Sequence, residues 1–182
     1  MSERADVPSK GLSWRALVCI AALGCGACYS ESPLDPTPQV DPEPRLLGEW
    51  RCLSMDPDSP SSARVTLAAD RDSPGELDVT WQEDAAKPES YVAFPSLVGA
   101  SSFLNVRSAD EGPLAGEWAF VRYSFPRRRL LALDLVPSEV FEGQASSQSP
   151  AAARATLEGA LETTPGLLQP FCVCVRIASR NE

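Results

Sequence analysis

Glu117 to Val136 reads EWAFVRYSFPRRRLLALDLV, two alternating runs joined at Pro126-Arg127-Arg128. Ala119, Val121, Tyr123 and Phe125 fall on one face, and Leu131, Leu133 and Leu135 continue that face across the turn. Period two over more than four residues is the signature of a strand with one buried side. This face carries no charge. The opposite face holds Trp118, Phe120, Arg122 and Ser124 against Leu130, Ala132, Asp134 and Val136. Pairing Phe125 with Arg129 sets Arg122 opposite Ala132 and diagonal to Asp134, about 7–8 Å between backbones, which long side chains close. An outward-facing structural ion pair between Arg122 and Asp134 is therefore expected.

The same pattern recurs outward from this hairpin. Runs at 46–53, 63–68, 76–82, 90–94, 102–107, 117–125, 129–136 and 171–177 give eight short strands. Asp56-Pro57-Asp58-Ser59-Pro60, Asp72-Ser73-Pro74-Gly75 and Asp110-Glu111-Gly112-Pro113 separate them with residues that set turn dihedrals or bond their own backbone. Leu77, Val79 and Trp81 alternate with Asp78, Thr80 and Gln82, and Val65 and Leu67 with Arg64 and Thr66. In the last run Phe171, Val173, Val175 and Ile177 form the apolar face, which turns Cys172, Cys174 and Arg176 outward. Eight strands at this spacing predict a mainly β fold, an eight-stranded antiparallel barrel.

One helix is expected before the last strand. Ser149 is placed to cap it, Pro150 occupies its first position, and Pro165-Gly166 stops it. Ala153, Leu157, Ala160 and Leu161 form a stripe at helical spacing, which is expected to pack outside the barrel near Trp118 and Phe120. Inside, Trp50, Trp81, Tyr123 and Phe171 are the bulkiest candidates for an apolar lumen. If they fill it there is no pocket; if they ring a mouth there is one.

Leu47-Gly48-Glu49-Trp50 at the first strand resembles the Gly-x-Trp opening of lipocalins, with Gly48 and Trp50 at the two family positions. The resemblance implies a lipocalin-like barrel with Trp50 inward; it departs from the family in placing the helix before the last strand rather than after it. The region from Leu46 onward is also similar to small bacterial lipoproteins with this strand order, which implies no particular activity.

Ahead of the barrel, residues 1–24 read as a leader. Arg4, Lys10 and Arg15 precede the apolar run 16–23, which ends at small residues. Eight apolar residues are too few to cross a bilayer, which takes roughly 20. Ala22-Leu23-Gly24-Cys25 resembles the lipobox of bacterial lipoproteins, which implies cleavage before Cys25 and acylation of that residue, with Cys28 as the alternative. The same resemblance implies a lipid-anchored protein of the bacterial cell envelope. Gly26 in place of an aspartate after Cys25 favours the outer over the inner membrane. Residues 25–45 then form an acidic, proline-rich segment, with Pro33, Pro36, Pro38, Pro42 and Pro44 among Glu31, Asp35, Asp41 and Glu43. Such composition predicts a stiff tether, about 50 Å if 16 residues extend as polyproline II, carrying the barrel of residues 46–182 clear of the headgroups.

The remaining cysteines, Cys52, Cys172 and Cys174, lie on the first and last strands, which barrel closure makes neighbours. Cys52 to Cys172 or Cys174 is the natural bridge in an oxidising compartment, and Cys172 to Cys174 within one strand is the strained alternative, alternate Cα atoms lying roughly 6.6 Å apart. The parity above puts Cys52 inward and the other two outward, so the bridge needs a bulge near Arg51. Cys-x-Cys without histidine is a poor soft-metal site, and no metal or cofactor is expected.

The chain of 182 residues has 16 basic and 25 acidic side chains, a net charge of −9, and no histidine. Without imidazole there is no Ser-His-Asp or Cys-His pair and no HExxH centre. The acidic balance argues against nucleic acid as a partner. Most carboxylates fall in turns or the tether, and no strand interior holds two, so no catalytic set is expected. The sequence thus predicts a non-catalytic envelope lipoprotein, membrane-bound through its N-terminal lipid, whose barrel is an interaction module for a protein or glycan. The alternative is a lipocalin-like carrier of a small apolar ligand.

Overall fold

A computed structural model describes residues 30–58, 60–84, 86–109, 116–142 and 149–177. Cys25 and Cys28 lie outside the described residues. Eight antiparallel strands close in sequence order: β1 (Gly48–Ser54), β2 (Ser62–Ala69), β3 (Leu77–Glu83), β4 (Glu89–Val98), β5 (Ser101–Ser108), β6 (Ala119–Arg127), β7 (Leu130–Leu135) and β8 (Gln169–Arg176). Closure is made by β1 pairing β8, with Cys52 directly opposite Cys174. Helix α1 (Pro150–Thr163) precedes β8; Ser149 caps it by accepting from the Ala152 N–H, with Pro150 at its first position.

The barrel has two apolar layers. Inside, Trp50, Val65, Leu67, Leu77, Leu104 and Leu131 are buried on alternating positions. Outside, Phe103 and Phe120 on β5 and β6 pack with Phe141, Val136, Ala153 and Leu157, so α1 covers this wall where its stripe predicted. Strand β5 is consequently buried on both faces: Phe103, Leu104 and Asn105 are each 5 % exposed or less. Strand β4 runs on through Pro95, where the sequence suggested an end at Phe94. Its pairing with β3 stops at Leu77 opposite Ala93, which leaves one edge of β4 free, and proline is tolerated on such an edge.

Three sequence expectations are corrected. The hairpin register is tighter than the 125–129 pairing: Arg127 pairs Leu130, a bulge intervenes, and Arg122 stands directly opposite Asp134. In β8 the parity is reversed, since Cys172 and Cys174 are buried while Val175 is 49 % exposed. The alternation F-C-V-C-V misleads because cysteine is buried as readily as valine. A register slip between Leu133 and Asp134 leaves Phe171 opposite no residue, which is how Phe171 also faces inward.

Finally, the acidic segment is not a free tether from Ser30 onward. Ser30 forms a two-way backbone bridge with Trp118 (3.1 and 2.8 Å). Leu34 is 1 % exposed within the outer layer, and its N–H donates to Asn105 Oδ1 at 2.7 Å. Asp35 pairs with Arg154 of α1 at 2.7 Å. The segment is a strap across the outer wall, because one leucine among the prolines fits the apolar groove between α1 and the sheet.

Candidate functional site

The lumen holds a cavity of about 700 Å³. Its shape follows from side-chain size along the strands. At one end, the closed end, β1 and β6 contribute Trp50, Tyr123 and Phe125, with Leu46 (0 % exposed) beneath them. Toward the other end the inward positions shrink on three strands: Leu67 gives way to Val65 on β2, Leu104 to Val106 on β5, and Tyr123 to Val121 and then Ala119 on β6. Small aliphatic side chains around an eight-strand circumference do not meet in the middle, and the space remains.

The closed end is held by Arg176. Its guanidinium lies over the Trp50 ring, 4.8 Å from the centroid, and donates to the carbonyls of Arg45 (2.5 Å) and Leu47 (2.8 Å). Trp50 Nε1 donates to the Leu46 carbonyl at 2.9 Å, so the indole is fixed both by its polar atom and by its face. Arg45 covers Phe125, 4.4 Å from that ring.

The mouth lies where β1, β3, β5 and β7 end and the even-numbered strands begin. Trp81 and Phe171 stack there with centroids 5.7 Å apart. Met55, half exposed, continues the apolar rim, its N–H donating to the Phe171 carbonyl at 3.0 Å. Polar groups enter only at this level: Asp56 after β1, Arg107 at the end of β5, Glu117 before β6, and Ser138 and Glu139 in the short 3-10 helix after β7. Burial pushes the Glu117 carboxyl above its ordinary pKa, and the charge of Glu31 on the strap adds to the shift.

Of the four aromatic residues expected at the lumen, the structure thus splits two from two. Trp50 and Tyr123 are floor; Trp81 and Phe171 are rim. Burial is the main cause that raises the Tyr123 hydroxyl above its usual range.

Cys52 and Cys174 are bonded in the lumen wall, both facing inward without a bulge at Arg51. Among the described residues Cys172 is the free thiol, its sulfur 3.7 Å from that of Cys174. Burial, with a smaller contribution from the Asp134 charge, pushes its pKa up to about 12. The three sulfurs lie within 4.8 Å of one another, but two are held in the bridge, which leaves a single thiol ligand. Arg122 and Asp134 sit outside the barrel, joined through Nη2 (2.6 Å) and Nε (3.0 Å) to the same carboxylate oxygen. That pair ties β6 to β7 and does not reach the lumen.

Compared with known proteins, the chain matches no family model, no curated protein and no solved structure. The site is read from its geometry alone. The sequence reading missed the rim carboxylates, which look like ordinary turn residues, and the Arg176–Trp50 contact, which the reversed parity of β8 concealed.

Proposed function

We propose that this protein is a lipid-anchored, non-catalytic binding barrel of the bacterial envelope that carries a small, elongated apolar ligand. The observation that carries the reading is the open lumen of about 700 Å³ behind a stacked Trp81–Phe171 rim. That volume lies within the range of small-molecule sites, and such sites are apolar with a few polar groups set at one place. Here the apolar body of a ligand meets Val65, Val106 and Val121, and its polar end stays at the mouth. The open lumen supports a carrier over an interaction module for a protein or glycan.

The lipid anchor and the envelope location rest on the lipobox resemblance at Cys25 or Cys28. The Cys52–Cys174 bridge supports them, since such bonds persist in oxidising compartments. The strap adds a consequence. Ser30 pairs with Trp118, immediately before the rim residue Ala119. Five residues from Cys25 to Ser30 reach at most about 18 Å, so an acyl chain on Cys25 would keep the mouth close to the headgroups.

The test is native mass spectrometry of the protein purified from its own cells, together with titration by N-phenyl-1-naphthylamine, an uncharged apolar fluorophore. A co-purifying apolar mass and saturable fluorescence are expected. Val121→Trp, which places an indole in the lumen, should weaken the fluorophore at least about tenfold. Unchanged affinity in that variant would move binding out of the barrel and overturn the proposal.

A further inference from the structure

We infer that the barrel selects single-chain amphiphiles with a positively charged head and rejects those ending in a carboxylate. The inference rests on the binding-barrel reading and adds the class of ligand. Among the described residues three carboxylates, Asp56, Glu117 and Glu139, line the cavity, and all three stand at the mouth, on three different connections around the rim. Among the same residues one cation, Arg107, lines it with them. Its guanidinium is turned onto the Trp118 ring, 5.2 Å from the centroid, and Trp118 packs in the outer layer rather than the lumen. A ligand head at the mouth therefore meets three acids and one base already engaged.

Other positive charge does not reverse this. The arginine turn at Arg127 to Arg129 is at the closed end, across the length of the barrel. Lys87 and Arg64 are nearer the mouth but exposed, and neither lines the cavity. The apolar walls behind the rim act in the same direction. Charges beside a low-dielectric interior are screened less than charges in water, so a carboxylate head would be repelled and an ammonium head attracted. The raised pKa of Glu117 is a sign of the same environment, a carboxylate held where water is partly excluded and another acid, Glu31, stands near.

The experiment titrates the full chain, at neutral pH and below micelle formation, with three probes of one chain length: dodecyltrimethylammonium, dodecanol and dodecanoate. The ammonium is expected to bind at least about tenfold more tightly than the carboxylate, with dodecanol between them. The gap should narrow as salt is raised from about 0.01 to about 1 M, where the screening length falls from about 30 to about 3 Å. The double variant Glu117→Gln with Glu139→Gln should close most of the gap by moving the ammonium and the carboxylate in opposite directions, with dodecanol shifting less than either; Asp56→Asn should close part of it and serves if the double variant does not fold. Equal or tighter binding of dodecanoate overturns the inference and leaves the carrier standing. A gap that survives all three substitutions also overturns it. If none of the three probes binds, the carrier reading itself falls.

Discussion

Replacing Cys52 by alanine tests the barrel's closure directly. The bond to Cys174 spans 122 residues and joins the first strand to the last. In the chain-entropy treatment, a loop of that length removes about 16 cal/mol/K from the unfolded ensemble, or ~4.9 kcal/mol at 25 °C, and measured values for native bridges run at roughly 2–5 kcal/mol. Alanine is the right replacement, because serine would add a hydroxyl to an apolar wall. The released Cys174 is left 3.7 Å from Cys172. A bond between those two would close a loop of only two residues and restore almost none of the lost constraint. Urea unfolding of Cys52→Ala should therefore show a loss of about 2–5 kcal/mol whether or not Cys172 and Cys174 then oxidise. The slope against urea should also rise, since the unfolded chain is freed. Reduced wild type should unfold like the variant. A loss below about 1 kcal/mol, or peptide maps of the wild type that pair Cys172 with Cys52, would refute the assigned closure.

Three further outcomes follow from the same contacts. Cys172 should resist iodoacetamide at neutral pH in the folded protein and react at once in denaturant, because burial pushes its pKa up to about 12 and the thiolate is the nucleophile. Leu34→Ala should cost about 2–4 kcal/mol if the strap packs as part of the fold, and hydrogen exchange at the Leu34 amide, which donates to Asn105, should accelerate; an unchanged exchange rate would return the strap to a free tether. Burial raises the pKa of Glu117 and of Glu83 above the ordinary 4.5, with nearby acids adding to both and a Trp81 hydrogen bond partly opposing it at Glu83. A carboxyl raised on folding destabilises the native state above its folded pKa and no longer does so below its unfolded one. Lowering the pH from neutral toward 4.5 should thus add stability from these two groups, and Glu83→Gln with Glu117→Gln should be more stable than wild type at pH 7 and lose that gain; an identical pH profile would sink the assignment.

Much of the architecture was legible because the alternation is strong where a strand has one wet face. The 117–136 hairpin gave the inner face of β6 and β7 correctly, although the turn register, set by a bulge, was not readable from hydrophobicity. Ser149-Pro150 and the stripe at Ala153 and Leu157 located α1 and the side it covers. Two failures share a cause. On β8, alternation makes cysteine read as a polar marker, whereas its sulfur is as buried as a methyl group; on the strap, five prolines hide one leucine that the groove holds. Composition describes a segment's average, while packing turns on single side chains. For the site, a usable signal existed in the hairpin quoted first. The inward side chains of β6 grow from Ala119 through Val121 to Tyr123 and Phe125, and those of β2, which starts at the same end of the barrel, grow from Val65 to Leu67, so both narrow the same end. That taper separates a floor from a mouth. The rim acids carried no such signal, because turns are acidic in most proteins for reasons of dihedral preference alone.

The open lumen raises a question of stability that the outer layer answers. A small barrel ordinarily relies on interior packing, and a cavity of about 700 Å³ forgoes much of it. Here Leu34, Phe103, Phe120, Ala153 and Leu157 are each 2 % exposed or less on the outside of the sheet, a second core that does not involve the lumen. If stability has been moved outward in this way, equal truncations should have unequal costs. Leu157→Ala opens a void in a closed, dry cluster and should lose about 3–4 kcal/mol, the transfer term plus the cavity term. Val121→Ala removes fewer atoms, and its side chain already borders open space, so no new void is created; about 1 kcal/mol, little more than the transfer term, is expected. The comparison is sharpened by Val136→Ala, the same chemical change made in the outer cluster, where Val136 is 6 % exposed. It should cost more than Val121→Ala by about 1 kcal/mol, the void it leaves having no solvent or ligand to occupy it. Equal losses for the two valines in thermal or urea unfolding would mean that the lumen is packed in solution, and the case for a carrier would lose its physical basis along with the cavity.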